Sequence, residues 1–294
     1  MRDPRELYTT EPGDWSELAE APLLHLLNGF LDSGRVLQGA VRHLEQTCSP
    51  VRVATFDTDE LHDYRSRRPV MTFDTYRWVG VQPPQLVLDR LTDAEGRPFL
   101  LLHGVEPDAQ WERSIAAVLS VCDDLRVGSL YTLGGIPLAV PHTRPTGITR
   151  HSTDEQLVHD NPPLIERMDV PAQWSSLFQL RAGEAGRCAS GYVVHVPHYL
   201  SQVYFPQALV VALQALMDDT GLVVPLAGLA EEAAESLDLI NKEIASSAET
   251  QELVGALEEA FDAAHIRVAP VPTADEIGAE LERFLAEREH GDDR

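Results

Sequence analysis

The chain has 294 residues, 44% of them hydrophobic and 24% charged, a balance that suits a folded protein with a full core. Its formal net charge of −24 argues against nucleic acid and anionic membrane surfaces as partners, since both are held by basic faces. Lys242 is the only lysine, so arginine supplies nearly all the positive charge.

The N-terminal stretch Met1–Glu6 has no apolar run behind its basic residues, so no secretion signal is expected. No stretch approaches the roughly 18 apolar residues of a membrane span. Three cysteines, Cys48, Cys122 and Cys188, are far apart and form no CxxC pair, which predicts reduced thiols in a cytoplasmic protein and no zinc knuckle.

Residues 1–20 are polar and read as an arm or first loop. Pro22–Leu27 is a short apolar run that predicts a buried strand. After Asn28-Gly29-Phe30-Leu31, Asp32 or Ser33 caps a helix carrying Leu37, Ala40, Val41 and Leu44 on one face. Val51–Phe56 is the next strand, so the sheet opens with a βαβ unit. Residues 57–69 are dense in charge. Asp57, Asp59, His62 and Asp63 alternate as hard-cation ligands would, but the turn glycine of a calcium loop is missing and three arginines follow. A surface loop with internal ion pairs and no metal is the expectation.

Met71–Val81 and Pro84–Leu91 read as strands, and Pro98–His103 returns around a turn at Asp93–Gly96. That hairpin makes the sheet mixed. Asp108 is placed to cap a helix with Trp111, Ile115, Val118 and Leu119 on its apolar face. Residues 127–142 read as two strands around Gly134-Gly135, the pair taken as a tight turn. Residues 150–172 are polar and proline-rich and read as a loop or short helix. Trp174–Leu180 and Gly191–Val196 are apolar runs split by a turn at 182–186. Pro206 opens a helix that is apolar nearly all round from Ala208 to Met217 and therefore buried. From Gly228 the chain turns acidic and helical. Leu229, Ala233, Leu237, Ile240 and Ile244 form one stripe, Leu253, Leu257, Phe261 and Ala264 a second, and Ile277, Leu281 and Phe284 a third. This region carries about half of the net charge. The tail His290–Arg294 is expected to fray.

The tripeptide Val-Pro-His occurs at 140–142 and again at 196–198, each time after an apolar run. Two strands ending in Pro-His bring His142 and His198 to one rim of a sheet. Imidazole is suited to proton transfer near neutral pH, with Glu106 or Asp108 to orient a ring and Arg144 to clamp an anion. The plainer alternative has His142 and His198 closing strand ends or packing at a subunit contact, Arg144 in an ion pair, and His103 hydrogen-bonded in the core. There is no GxSxG elbow, no phosphate loop, no HExxH and no GxGxxG after the first strand.

Several motifs in order resemble the proteasome assembly chaperone type 2 family, and its actinobacterial branch most. They are Asn28-Gly29-Phe30 with Asp32 and Gly34; Asp63-Tyr64-Arg65; Arg67-Arg68-Pro69; Leu101 to Asp108 with Trp111; Pro141 to Pro145; and Val196-Pro197-His198-Tyr199. The resemblance runs from about Ala21 to Gly228. It implies a three-layer α/β/α sandwich with a mixed, mostly parallel sheet of the phosphorylase/hydrolase kind, at residues 21–227. Before it stands the arm (1–20), and after it an acidic helical appendage (228–294). It further implies a homo-oligomer, a trimer in bacteria, and relatives that assemble or bind proteasomes. It brings no catalytic residue and no cofactor. The expectation is a non-enzymatic interaction protein with His103, Glu106, Asp108, His142, Arg144 and His198 around a cleft, and Trp111, Tyr199, Arg67 and Arg68 as interface anchors. The alternatives are a hydrolase- or phosphorylase-like enzyme using that cleft and a small-molecule-binding regulator.

Overall fold

The computed structural model describes residues 2–158 and 167–268. The third acidic stripe (Ile277, Leu281, Phe284), the tail from His290 and part of the 150–172 loop lie outside the described residues. In chain order the strands are β1 (Tyr8–Thr10), β2 (Leu23–Asn28), β3 (Val51–Phe56), β4 (Val70–Asp74), β5 (Arg77–Gln82), β6 (Leu86–Thr92), β7 (Pro98–Val105), β8 (Leu130–Leu138), β9 (Ile148–Ser152) and β10 (Ala189–Pro197). Eight of them form one mixed sheet in the order β1-β3-β6-β7-β2-β8-β10-β9, while β4 and β5 make a separate ribbon.

The centre of the sheet, β7-β2-β8-β10, is parallel. Its strands are buried on both faces, which is why β2 reads Leu-Leu-His-Leu-Leu with no polar alternation. The hairpin β6–β7 and the edge pairings β1–β3, β3–β6 and β9–β10 are antiparallel. β3 keeps the direction of β2 but stands beyond β6 and β7, so the first crossover spans two strands.

Helices cover both faces. One apolar cluster joins α1 (Val36–Thr47) and α5 (Pro206–Thr220) to the sheet through Leu37, Ala40, Leu44, Leu209 and Leu213. The other joins α3 (Trp111–Leu125) and α4 (Trp174–Glu184) through Ile115, Val118, Trp174 and Phe178. A short helix, α2 (Thr58–Leu61), follows β3. Trp174 is fully buried, stacks on Phe178 at 5.0 Å, and gives its indole N–H to Ser114 Oγ at 2.8 Å, so its one polar atom is satisfied. The acidic stretch forms α6 (Ala227–Ala245) and α7 (Ala248–Val268). Leu229 of α6 is buried against the α1–α5 layer, with Leu237 and Ile240 packed on its edge, and Ala233 is buried as well. No helix among the described residues is long and apolar enough to cross a membrane.

Several sequence expectations are corrected. The first twenty residues are polar overall, yet β1 pairs with β3, and Leu7 and Leu18 are fully buried. Met71–Val81 is not one strand: it turns at Thr75, whose φ is 53°, into the β4–β5 ribbon. Residues 127–142 are not two strands: β8 runs straight through Gly134-Gly135. Gly135 is small because the Ser33 carbonyl oxygen crosses it, and a Cβ there would lie 2.2 Å from that oxygen. Trp174–Leu180 is the start of α4, and β9 lies in the stretch read as a loop. Asp108 does not cap α3, because Gln110 enters that helix in the left-handed region. Asp32 does cap α1, from farther away than expected: its carboxylate accepts the N–H groups of Leu37 at 2.8 Å and Gln38 at 3.1 Å.

Candidate functional site

Parallel strands end on a common rim, so the loops after β2, β7, β8 and β10 gather there. Pro141 and Pro197 hold the residues before them extended and carry each chain past the sheet edge. β10 pairs with β8 so that Pro197 stands opposite Leu138. The turn His198–Leu200 then sets Tyr199 between the two imidazoles. Its ring centroid lies 5.9 Å from that of His142 and 5.5 Å from that of His198, edge-on to both.

His142 is buried and fully bonded. The Tyr199 hydroxyl accepts the His142 backbone N–H at 3.0 Å and donates to Nδ1 at 2.7 Å. Nε2–H then donates to Asn241 Oδ1 of α6 at 3.0 Å, so these partners fix the tautomer. Burial pushes the Tyr199 hydroxyl above its ordinary range, which keeps it a donor. His198, by contrast, is exposed. Two residues past His142, the Arg144 guanidinium forks onto Asp262 of α7 at 2.8 and 2.7 Å and reaches Glu258 at 3.2 Å. Thr143 donates to the same Glu258 carboxylate. The Pro-His-Thr-Arg-Pro segment is therefore a clamp that pins the acidic helices to the rim.

The other candidates fall into two further groups. Glu106 is buried, and its Oε1 accepts the backbone N–H of Trp174 at 2.5 Å, an anion at the N-terminus of α4. Gly29 makes room for it: a Cβ there would sit 1.9 Å from Glu106 Oε2. Arg67 pairs with Asp108 at 3.2 Å and donates to the Glu106 carbonyl at 3.3 Å, while Asp108 accepts the Asp63 N–H at 2.9 Å. Trp111 is half-buried with its indole N–H on the Pro107 carbonyl at 2.6 Å, and Arg68 is exposed.

His103 is a buried, bonded histidine, with Nε2 on Asp89 Oδ2 at 2.8 Å and Nδ1 3.8 Å from Glu45. Arg52 approaches the other Asp89 oxygen at 2.5 Å. Burial pushes the Asp89 carboxyl up, but the hydrogen bonds from His103 and Arg52 outweigh it and leave it below the usual carboxylate range. Glu45, Asp89 and His103 place ligand atoms within 4.8 Å of one another. Both Asp89 oxygens are already engaged, one by His103 and the other by Arg52.

The hydrogen bonds named here keep within each group. Sequence reasoning missed Asn241, Asp262, Asp89 and Arg52; only Asn241, a polar residue beside the Leu237–Ile240–Ile244 stripe, carried any signal. In the 57–63 loop, Asp57 caps α2, Asp59 accepts from the Tyr64 hydroxyl, and His62 Nε2 faces the Val105 carbonyl at 3.2 Å. At the rim between β2 and β8, a cleft lined by Leu27, Thr132, Gly134, His151 and Gln173 holds about 100 Å³. That is well below the roughly 300 Å³ at which ligand pockets begin.

Arg144→Ala is expected to loosen α7 without unfolding the sheet. Hydrogen exchange should rise across residues 248–264 and stay unchanged in β2, β7 and β8. Uniform protection in the variant would show that the fork does not hold the helix.

Comparison with known proteins follows the same outline. A protein of unknown function from Mycobacterium tuberculosis, Rv2714, is 41% identical, with a TM-score of 0.82 over 87% of this chain and 91% of its own. A protein of unknown function from Corynebacterium glutamicum is 33% identical, with a TM-score of 0.83 over 89% and 98%. The Mycobacterium tuberculosis proteasome-assembly chaperone homologue Rv2125 is 26% identical, with a TM-score of 0.73 over 79% and 99%. Among curated proteins nothing matches. The PAC2 family matches residues 26–244, from within β2 to within α6. The chain belongs to the PAC2 family.

Proposed function

We propose that the chain is a non-enzymatic protein-interaction protein that works as a homo-oligomer in the cytoplasm and handles protein partners as proteasome assembly chaperones do. Residues 21–227 are the interacting α/β body and residues 228–294 its acidic appendage. One observation carries the reading: three of the side chains best suited to chemistry are engaged in holding helices. Glu106 holds α4, His142 holds α6 and Arg144 holds α7. A general base needs a free lone pair facing substrate, and both nitrogens of His142 are bonded. Membership of a family that includes a proteasome-assembly chaperone homologue supports the same reading.

Affinity capture of the tagged chain from its native host tests it. Recovery of proteasome subunits, or of another partner in fixed ratio, is the expected result, with a native mass of three chains for the protein alone. Capture of no protein partner, together with a turnover abolished by His142→Ala, would replace this reading with an enzymatic one.

A further inference from the structure

β2 and β7 lie side by side and parallel, yet the helices that follow them, α1 and α3, cover opposite faces of the sheet. A crevice opens between the carboxyl ends of two such strands, and open α/β sheets hold their ligands in crevices of this kind. Here it holds about 310 Å³ and is walled by Leu26, Leu37, Val41 and Val105. That volume stands at the lower end of the roughly 300–1,000 Å³ spanned by ligand pockets.

The polar groups on this crevice narrow the choice of ligand. His103 lines it from a buried position and Glu45 from an exposed one. The Asp89 carboxylate accepts the His103 Nε2 hydrogen at 2.8 Å. The Nδ1 lone pair of the neutral ring then faces the Glu45 carboxylate across 3.8 Å. That gap is too wide for a hydrogen bond. Among the described residues no hydrogen bond reaches the Glu45 carboxylate, and no arginine or lysine pairs with it. Asn28 and Gln38 add two side-chain amides, also without a hydrogen bond among the described residues. The Arg42 guanidinium is committed elsewhere, 4.8 Å from the centre of the Tyr204 ring and 3.9 Å from Glu232. Two acceptors therefore face each other with no donor between them.

We infer that this crevice binds a primary ammonium group carried on a short aliphatic stem. An ammonium brings three N–H donors and no acceptor. A nitrogen set between His103 Nδ1 and Glu45 reaches both at the ordinary length of about 2.9 Å, and an amide oxygen of Asn28 or Gln38 takes the third hydrogen. Glu45 supplies the countercharge, and the stem lies along the apolar walls. An anion is repelled by the same carboxylate. A divalent metal fits poorly: both Asp89 oxygens are engaged, so His103 and Glu45 alone would have to hold it, fewer ligands than a zinc site takes from its protein. A free amine and the lysine side chain of a partner protein share this chemistry. The site is independent of the protein-interaction reading, which stands whether or not the crevice fills.

Probes of one length and different heads decide it: n-butylammonium, 1-butanol and butyrate, titrated into the full-length chain near neutral pH in physiological salt. Nitrogen NMR of the histidine rings follows His103, and thermal melts follow binding by mass action. Butylammonium is expected to shift the His103 Nδ1 resonance at millimolar concentration and to raise Tm. Butanol should bind about tenfold more weakly, for want of a charged donor, and butyrate not at all. Glu45→Gln should weaken butylammonium binding about tenfold. Glu252→Gln, the same change at an exposed acid of α7, should leave it unaltered, which separates the site from the general pull of a chain of net charge −24. Nα-acetyl-lysine methylamide tells the two sources apart: affinity equal to that of butylammonium assigns the crevice to a partner's lysine, and no binding assigns it to a free amine. Equal shifts from butylammonium and butyrate, binding untouched by Glu45→Gln, or a free His103 ring with protons on both nitrogens overturns the inference. Zinc that binds more tightly than butylammonium and is lost in Glu45→Gln overturns it in favour of a metal.

Discussion

Gly135→Ala is expected to lower stability by about 3 kcal/mol, the upper end of ordinary overpacking, while Gly134→Ala next to it is neutral or stabilises by about 0.5 kcal/mol. At about 2–4 °C per kcal/mol for a chain of this kind, the first shift is roughly 6–12 °C in Tm. The opposite signs follow from the two faces of β8. A Cβ on Gly134 meets nothing within 4 Å, whereas one on Gly135 lies 2.2 Å from the Ser33 carbonyl oxygen and 3.1 Å from its carbon. Ser33 has little freedom to retreat. The Gly34 N–H is bonded to the Ser201 carbonyl and the Gly34 carbonyl to the Phe205 N–H, both at 3.0 Å. Asp32 is bonded to the first turn of α1. Moving the loop therefore disturbs α1 and the β10–α5 join together. Paired thermal melts and urea midpoints test this; equal losses at the two positions would mean that the loop is free to give way.

The same pair shows where the sequence could and could not be read. A double glycine between apolar runs looks like a turn, and only the loop from a distant strand reveals that it is a crossing point. β2, β3, β7 and α5 were readable because their own apolar runs decide them. The turn inside Met71–Val81 was not, because Asp74-Thr75-Tyr76 contains neither glycine nor proline and the exposed ribbon alternates no buried face. α4 was missed for a related reason: Trp174, Phe178, Gln179 and Ala182 are buried but Leu180 is 54% exposed, so its apolar pattern has no clean period. At the rim, the repeated Val-Pro-His ends a strand only once, since β10 runs to Pro197 but β8 stops at Leu138, yet His142 and His198 both stand against Tyr199. What it left open was the use of those rings. Asn241, Glu258 and Asp262, which engage this rim, come from about a hundred residues downstream, and no local pattern announces them. Glu106 was likewise recognisable as a carboxylate at a strand-to-helix turn, but its partner is the N-terminus of α4, not the helix that follows it.

His25→Leu is expected to stabilise the protein at every pH and to do so increasingly as the solution is acidified. His25 lies in the central strand β2 with no exposure, its ring 4.9 Å from Phe178 and both nitrogens without a hydrogen-bond partner among the described residues. An unsatisfied buried polar group costs about 1–3 kcal/mol, so the leucine variant should gain about that much at pH 7.5. Burial, reinforced by the neighbouring His151, pushes the His25 imidazole down to about 3. The unfolded chain titrates near 6.5. Between these values the unfolded state binds a proton that the folded state refuses, so folding is penalised by about 1.4 kcal/mol for each pH unit below about 6.5. At pH 5 the penalty from this one residue is about 2 kcal/mol. The stability it withholds is restored as pH rises through the unfolded value, the sign expected for a depressed base. His151 and His195 are also held low by burial, so the wild-type curve is steeper than one group would make it. Urea midpoints measured from pH 7.5 to pH 5 should therefore diverge between wild type and variant. Parallel curves would mean that His25 keeps its proton in the fold, and with it a bonding partner in the core.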